Sequence, residues 1–207
     1  MKFLPQILLS TTLLLLMSCA DNSTYSNAAY SNPYPSGTLE YFQAEKNYKY
    51  TYDVWTNKPA YEKLQPWESS LVISLTDQRA LLMKGSQVII DYPICSGKEE
   101  YPTPPGRYRI LEKTEDKVST LYGKVLNEAD EVINDDADIR EVELKPGERF
   151  EGVAIPYWMR LTWDGVGHHV GIVHRDPASH SCVRGTKEMM PKIFAKVQVG
   201  TPVLIVE

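Results

Sequence analysis

The chain has 207 residues, 43% of them hydrophobic, which is enough apolar material for one globular domain with a real core and too much for a disordered chain. Its formal net charge is −5, and nothing in it supplies the basic stripe that phosphate binding requires, so the sequence predicts no nucleic-acid partner.

Residues 1–19 read MKFLPQILLSTTLLLLMSC, one Lys followed by an apolar run to Met17 that is too short and too weakly flanked for a good membrane-spanning helix. This is the pattern of a signal peptide over residues 1–18. Its end, Leu16-Met17-Ser18-Cys19, resembles the lipobox of bacterial lipoproteins. That resemblance implies cleavage before Cys19 and acylation of its thiol, so that the lipid on Cys19 holds the protein to a membrane. Ala20 next, with Asp only at position 21, favours an exported, periplasmic, outer-membrane lipoprotein by the same resemblance. Loss of Lys2 with the leader brings the net charge to about −6. Residues 19–38 are rich in Ser, Asn, Pro and Tyr, repeat Tyr-Ser-Asn, and are expected to form a flexible tether. Residues 39–69 carry aromatics and charges without clean periodicity, a lead-in segment whose structure the pattern does not specify.

From Ser70 the chain breaks into short β-rich runs. SLVISLTDQRALLMKGSQVIIDYPI predicts strand, turn at Thr76–Gln78, strand, turn at Lys84–Ser86, strand. GRYRILEK, VEL, VAIPYWMRLTW and the terminal TPVLIVE add further strand candidates. The convincing helix candidate lies between Thr186 and Gly200, with Pro191 marking where its regular part begins or bends. The acidic stretch 127–148 is expected as a solvated loop covering a cleft; Asp135, Asp136 and Asp138 lack the spacing and the glycine of a calcium loop. The fold class expected is mostly β with minor α, in a catalytic domain over residues 70–207.

All four histidines lie between His168 and His180, close to Cys182. Cys182 has four open readings: nucleophile, metal ligand, disulfide partner of Cys95, or small buried apolar group. The spacing of His169, His174, His180 and Cys182 matches neither the tight pairs of a zinc site nor a helical pair, so no metal is expected. An imidazole near a thiol suits nucleophilic catalysis, because a thiol near its reference pKa of ~8.5 needs a base to take its proton.

The residues also resemble a known family. Ser179-His180-Ser181-Cys182-Val183-Arg184 is similar to the S-H-G-C-[VI]-R signature of the L,D-transpeptidases of the YkuD family, bacterial cell-wall enzymes with a β-rich domain and a cysteine nucleophile. DGVGHHVG supplies the family's glycine-flanked histidine, His169, thirteen residues before Cys182. PICSGKEEYPTPPGRYRI resembles the family's S-x-G-K…T-P-x-G stretch, and TDQRALLMKGSQVI its opening hairpin with Gln78. The resemblance runs from about Ser70 to Glu207 and implies a YkuD-like β-sandwich or β-rich catalytic domain.

What it implies chemically is a peptidoglycan L,D-transpeptidase. Cys182 is implied as nucleophile and His169 as its base, with His168 as the rival one register away. His180 is implied to orient or to stabilise the oxyanion, and Ser179 to orient an imidazole. Backbone N–H groups around Ser181 and Cys182 would form the oxyanion hole, and Arg184 would hold a substrate carboxylate or brace the loop. The substrate implied is a tetrapeptide stem of peptidoglycan: Cys182 expels D-alanine, forms a thioester, and an amine resolves it. No cofactor is implied. Acylation by carbapenems is a further property the resemblance implies. Three departures stand out: Ser181 replaces the motif glycine, Val170 follows His169 where a small residue is usual, and Cys95 precedes Ser96. Ser181 keeps a second function class open, a wall-associated scaffold lipoprotein with an impaired site. A Cys-His peptidase of another fold lacks support, since nothing papain-like surrounds Cys182.

Overall fold

The computed structural model describes residues 31–207; the expected signal peptide, Cys19 and the first part of the tether lie outside the described residues. The lead-in contributes α1 (Leu39–Gln43), β1 (Trp55–Thr56) and α2 (Lys58–Lys63). β2 (Ser69–Ser74), β3 (Arg79–Lys84) and β4 (Gln87–Cys95) then form the expected antiparallel meander. In β2 the alternation is visible, with Leu71 and Ile73 buried between half-buried neighbours. β4 is buried from Ile89 to Cys95 because it lies between β3 and a later strand in the sheet.

GRYRILEK makes two strands rather than one. β5 (Gly106–Arg109) pairs with β13 (Pro202–Val206), and β6 (Glu112–Thr114) crosses to β10 (Trp158–Arg160), with Ile110 buried between them. β11 (Gly167–Val170) and β12 (Val183–Gly185) are adjacent and parallel, and β12 also pairs antiparallel with β4. The path through the sheet is β5-β13-β2-β3-β4-β12-β11-β10-β6, with β1 on β4. The sheet curls, so strands from both of its ends share one core: Val203 and Ile205 of β13 cluster with Met159 of β10 and with Met190 and Ile193 of α3 (Met190–Ala195). Pro191 is the second residue of α3, in the first turn, where an N–H has no intrahelical partner to lose. The class is mostly β, as expected.

Three further strands, β7 (Val118–Leu126), β8 (Val132–Asp138) and β9 (Arg149–Ala154), form a separate sheet in the order β8-β7-β9. The acidic stretch read as a solvated loop therefore contains a strand, β8. The expected strand at Val142–Leu144 is absent, because the Val142 N–H closes a turn on the Asp138 carbonyl at 3.1 Å. The end of the expected flexible tether is also held in place. Asn32 Nδ2 donates to the Tyr41 carbonyl at 2.7 Å, and Trp55 Nε1 donates to the Gly37 carbonyl at 2.9 Å. Short polar side chains bond readily to nearby backbone, which gives this glycine- and proline-containing stretch a defined turn. Asn32–Glu207 form one compact unit.

Candidate active site

β11 and β12 bring the sequence-predicted residues together. Their register sets His168 beside Val183 and His169 beside Arg184, so Cys182, just before β12, stands next to the histidine pair. Neighbours on a strand point to opposite faces, and the two histidines differ accordingly. His168 is fully buried, with Nδ1 2.8 Å from the Val183 carbonyl and Nε2 2.9 Å from the Tyr92 hydroxyl. A carbonyl only accepts, so Nδ1 carries the proton and Nε2 takes the Tyr92 O–H; both ring nitrogens are occupied. His169 instead lines a cleft of about 250 Å³ together with Trp158, Ser179, His180, Cys182 and Arg184.

The His169 ring is held by a group with no side-chain signature. Its Nδ1 lies 2.7 Å from the Val170 carbonyl, which fixes the proton on Nδ1 and leaves Nε2 as an acceptor. The Trp158 ring packs against it with centroids 5.8 Å apart. Gly167 makes room for that indole, since a Cβ there would lie 2.3 Å from the Trp158 ring. Burial pushes both His168 and His169 down to about 4, so both are neutral at neutral pH.

Cys182 is half-buried and its thiol donates to the Gly165 carbonyl at 3.5 Å. Burial raises its pKa; the Gly167 backbone, Arg184 and Arg160 pull the other way and do not win. The resting thiol is therefore protonated, and it lines the same cleft as the neutral His169 imidazole. Cys95, by contrast, is fully buried, with Sγ 3.2 Å from the Asp176 carbonyl; both cysteines are free.

The loop before Cys182 has the left-handed backbone that glycine favours. Ser181 holds φ +69°, a conformation costing a serine on the order of 1 kcal/mol. Two bonds secure it: the Thr103 hydroxyl donates to the Ser181 carbonyl at 2.8 Å, and Ser181 Oγ donates to the Tyr101 carbonyl at 3.2 Å. Gly97 must be glycine for a different reason, close approach: a Cβ there would sit 2.9 Å from Ser181 Cα and 2.1 Å from the Tyr101 oxygen. Among the described residues, neither the Ser181 nor the Cys182 N–H is bonded to a protein acceptor.

Ser179 has a different job from the one expected of it. Its carbonyl accepts from the Lys98 N–H at 2.9 Å and its hydroxyl donates to the Cys182 carbonyl, so it ties the loop rather than an imidazole. The imidazole is oriented by Val170 because that carbonyl lies one residue on in the same strand. His180 is stacked between two rings, Tyr101 at 4.8 Å and Tyr122 of β7 at 4.9 Å. Arg184 passes over Gly171, where a Cβ would lie 2.8 Å from its Cγ and Cδ, and it has no ion-pair partner among the described residues. His174 is exposed and outside the cleft.

The opposite wall of the cleft is the small sheet, through Tyr122, Lys124, Asp135, Asp136 and Val153, with Lys117 just before β7. Tyr122 was not singled out in the sequence. It accepts from Arg140 at 2.9 Å, Arg140 being paired with Asp138, and it stacks on His180.

The sequence pattern of the YkuD L,D-transpeptidase catalytic domain matches residues 68–205, and the chain belongs to that family. Solved structures of similar fold include an L,D-transpeptidase from Mycobacterium smegmatis, with a TM-score of 0.51, 19% identity, and coverage of 68% of this chain and 59% of that one. An L,D-transpeptidase from Stackebrandtia nassauensis aligns with a TM-score of 0.51 at 18% identity, covering 83% of this chain and 68% of that one. The L,D-transpeptidase LdtMt1, solved in complex with imipenem, aligns with a TM-score of 0.51 at 21% identity over 67% of this chain and 59% of its own. The chain thus spans about three fifths of the first of these relatives. Among curated proteins, no sequence matches significantly.

Proposed function

We propose that the protein is a peptidoglycan L,D-transpeptidase whose nucleophile is Cys182. The observation that carries this reading is the pairing on one cleft wall of a protonated thiol with a neutral imidazole whose Nδ1–H is tied to the Val170 carbonyl. His169 Nε2 takes the thiol proton as Sγ attacks the carbonyl that precedes the terminal D-alanine of a tetrapeptide stem. The C–N bond breaks, the proton passes from His169 to the leaving amine, and a thioester on Cys182 remains. An amine then attacks the thioester, gives its proton to His169, and regenerates the thiol. The free Ser181 and Cys182 N–H groups suit the oxyanion, each such donor being worth about 3 kcal/mol. Arg184, without an ion-pair partner among the described residues, suits a stem carboxylate.

The alternative of an impaired scaffold drew on Ser181. The left-handed loop formed with a serine, bonded at both its carbonyl and its hydroxyl, supports a working site instead. Incubation with a disaccharide-tetrapeptide tests the reaction: release of D-alanine with formation of a cross-linked or exchanged product, abolished in Cys182→Ala, is expected. A folded protein that releases no D-alanine would refute it. We further propose that a lipid on Cys19 keeps the domain at the periplasmic face of the outer membrane, on the strength of the lipobox-like residues 16–19. Wild-type protein recovered soluble with a free Cys19 thiol would overturn that.

A further inference from the structure

Two buried arginines tie the lead-in segment to the loop that carries Cys182. Arg79, 1% exposed, gives Nε to Asp91 at 2.5 Å. Its other N–H groups go to the carbonyls of Tyr48 and Thr51, each at 3.3 Å, and of Asp53 at 2.9 Å. Asp91, fully buried, takes its remaining bonds from Gln43 Nε2 at 3.1 Å and the Tyr48 hydroxyl at 2.8 Å. A buried ion pair is costly unless its remaining hydrogen-bonding capacity is met, and here residues 43–53 meet it. The segment is thereby part of the domain it precedes.

Arg175 carries the connection onward. It lies in the loop between β11 and Cys182, is 7% exposed, and holds φ +64°. One terminal nitrogen donates to the Lys49 carbonyl of the lead-in and to the Asp77 carbonyl at 3.2 Å. The other donates to the carbonyls of Gln78 and, at 3.5 Å, Ile94. Gln78 passes the constraint on through its side chain, which donates to Ser96 Oγ at 2.7 Å and accepts from the Ser96 N–H at 2.9 Å. The Ser96 carbonyl takes the N–H groups of Ala178 and Ser179 at 2.9 and 3.0 Å, and Ser179 Oγ donates to the Cys182 carbonyl. The path begins on Lys49 and ends on the backbone of the nucleophile.

We infer that residues 39–56 are a strap that completes the active site, and that Arg175 is the positioning residue through which the strap and the β2–β3 turn fix Cys182. The inference rests on Cys182 as nucleophile. Arg175 does not line the cleft, so it acts on rate through geometry alone. A misplacement of the reacting atoms by about 1 Å costs on the order of 100-fold. Lysine cannot replace it, because an ammonium group lacks the planar fork that reaches the strap and the turn together.

The test is acylation of the full chain by imipenem, followed by intact mass, with the first-order rate at saturating drug separated from the apparent binding constant. In Arg175→Ala and Arg175→Lys the rate falls about 30- to 100-fold while the binding constant changes by less than about threefold. Added guanidinium ion restores about tenfold of the loss in Arg175→Ala and leaves the wild type unchanged, a rescue that a general loss of folding would not show. Should Arg175→Ala fail to fold, Ser179→Ala cuts the last link without exposing a buried charge, and its rate at saturating drug falls about tenfold. A folded Arg175→Ala, or in its absence a Ser179→Ala, that reacts at the wild-type rate overturns the inference. A wild type that is not acylated at all overturns instead the assignment of Cys182.

Discussion

The two walls of the cleft are built on different physics. The wall with His169 and Cys182 belongs to the large sheet: Gly167, His168 and His169 are buried, Val183 is fully so, and a Cβ on Gly185 would strike Met190 of α3 at 2.4 Å. The facing wall is a three-stranded sheet whose strand β8 is exposed at Val132, Ile133, Asn134, Asp135 and Asp136 and pairs only with β7. Close packing fixes the first wall to a fraction of an ångström, as proton transfer and nucleophilic attack require. The second wall is held by backbone ladders and by a few surface groups such as Arg140, Asp138 and Tyr122. It suits contact with a variable ligand rather than the chemistry. Disturbing the first wall is therefore expected to change rate or folding, and disturbing the second to change binding.

The adjacent histidines give the sharpest contrast. His169→Ala removes the proposed base and is expected to slow acylation of Cys182 by at least ~100-fold with little loss of stability. His168→Gln keeps acylation within about tenfold but lowers stability by roughly 1–3 kcal/mol, because Tyr92 and Val183 lose well-placed partners. Rate and denaturant measurements on the same two variants separate these outcomes. The reverse pattern would exchange the roles.

The same pair dictates an acid limit. The folded histidines sit at about 4 against the model value of 6.5, so between those pH values the unfolded chain binds more protons than the folded one. Stability is therefore unaffected above about pH 6.5 and falls as pH drops toward 4, by up to about 3 kcal/mol for each buried ring. Melting temperature against pH should show that fall, shallower in His168→Gln. A flat profile from pH 7 to 4.5 would contradict the buried, neutral state of both rings.

On the small sheet β8-β7-β9, the cap of the cleft, Tyr122→Ala removes the ring stacked on His180 and on the order of 1 kcal/mol of contact. The expected result is an apparent substrate affinity weaker by about fivefold with the first-order acylation rate little changed. A large fall in that rate would make the cap part of the chemical apparatus.

The smallest effect is expected at Ser181. Glycine relieves its φ of +69° but gives up the bond to Tyr101 and adds freedom to the unfolded chain, so Ser181→Gly should change stability by less than ~1 kcal/mol and acylation by no more than about tenfold. Activity that appears only in the glycine variant would mean that the natural site is impaired.

The legibility of this molecule follows the same division. The meander β2–β4 could be read because its apolar runs are long and bounded by polar turns, and Pro191 marked the start of α3. Cys182, His169, His180 and Arg184 could be named because Ser179–Arg184 and the glycine-flanked histidine resemble a family signature, and thiols and imidazoles are rare enough for such a signature to stand out. The cap could not be read, since β8 reads VINDDAD and its order comes from pairing with β7 rather than from an apolar face. Nor could the Val170 carbonyl that orients His169, because every residue has a carbonyl and only register places this one. The resemblance implied that Ser179 orients an imidazole; its hydroxyl bonds instead to the Cys182 carbonyl, a contact that only the loop's conformation sets. The strap was hidden because Arg79 and Arg175 bond to backbone oxygens, which carry no residue identity.

The central claim is that Cys182 is a working nucleophile, and the intact mass of the protein after incubation with a carbapenem tests it most directly. The account predicts a gain of one drug mass on the wild type and none on Cys182→Ala, the fully buried Cys95 staying unmodified. A folded wild type that gains no mass, or an adduct that persists in Cys182→Ala, would contradict it.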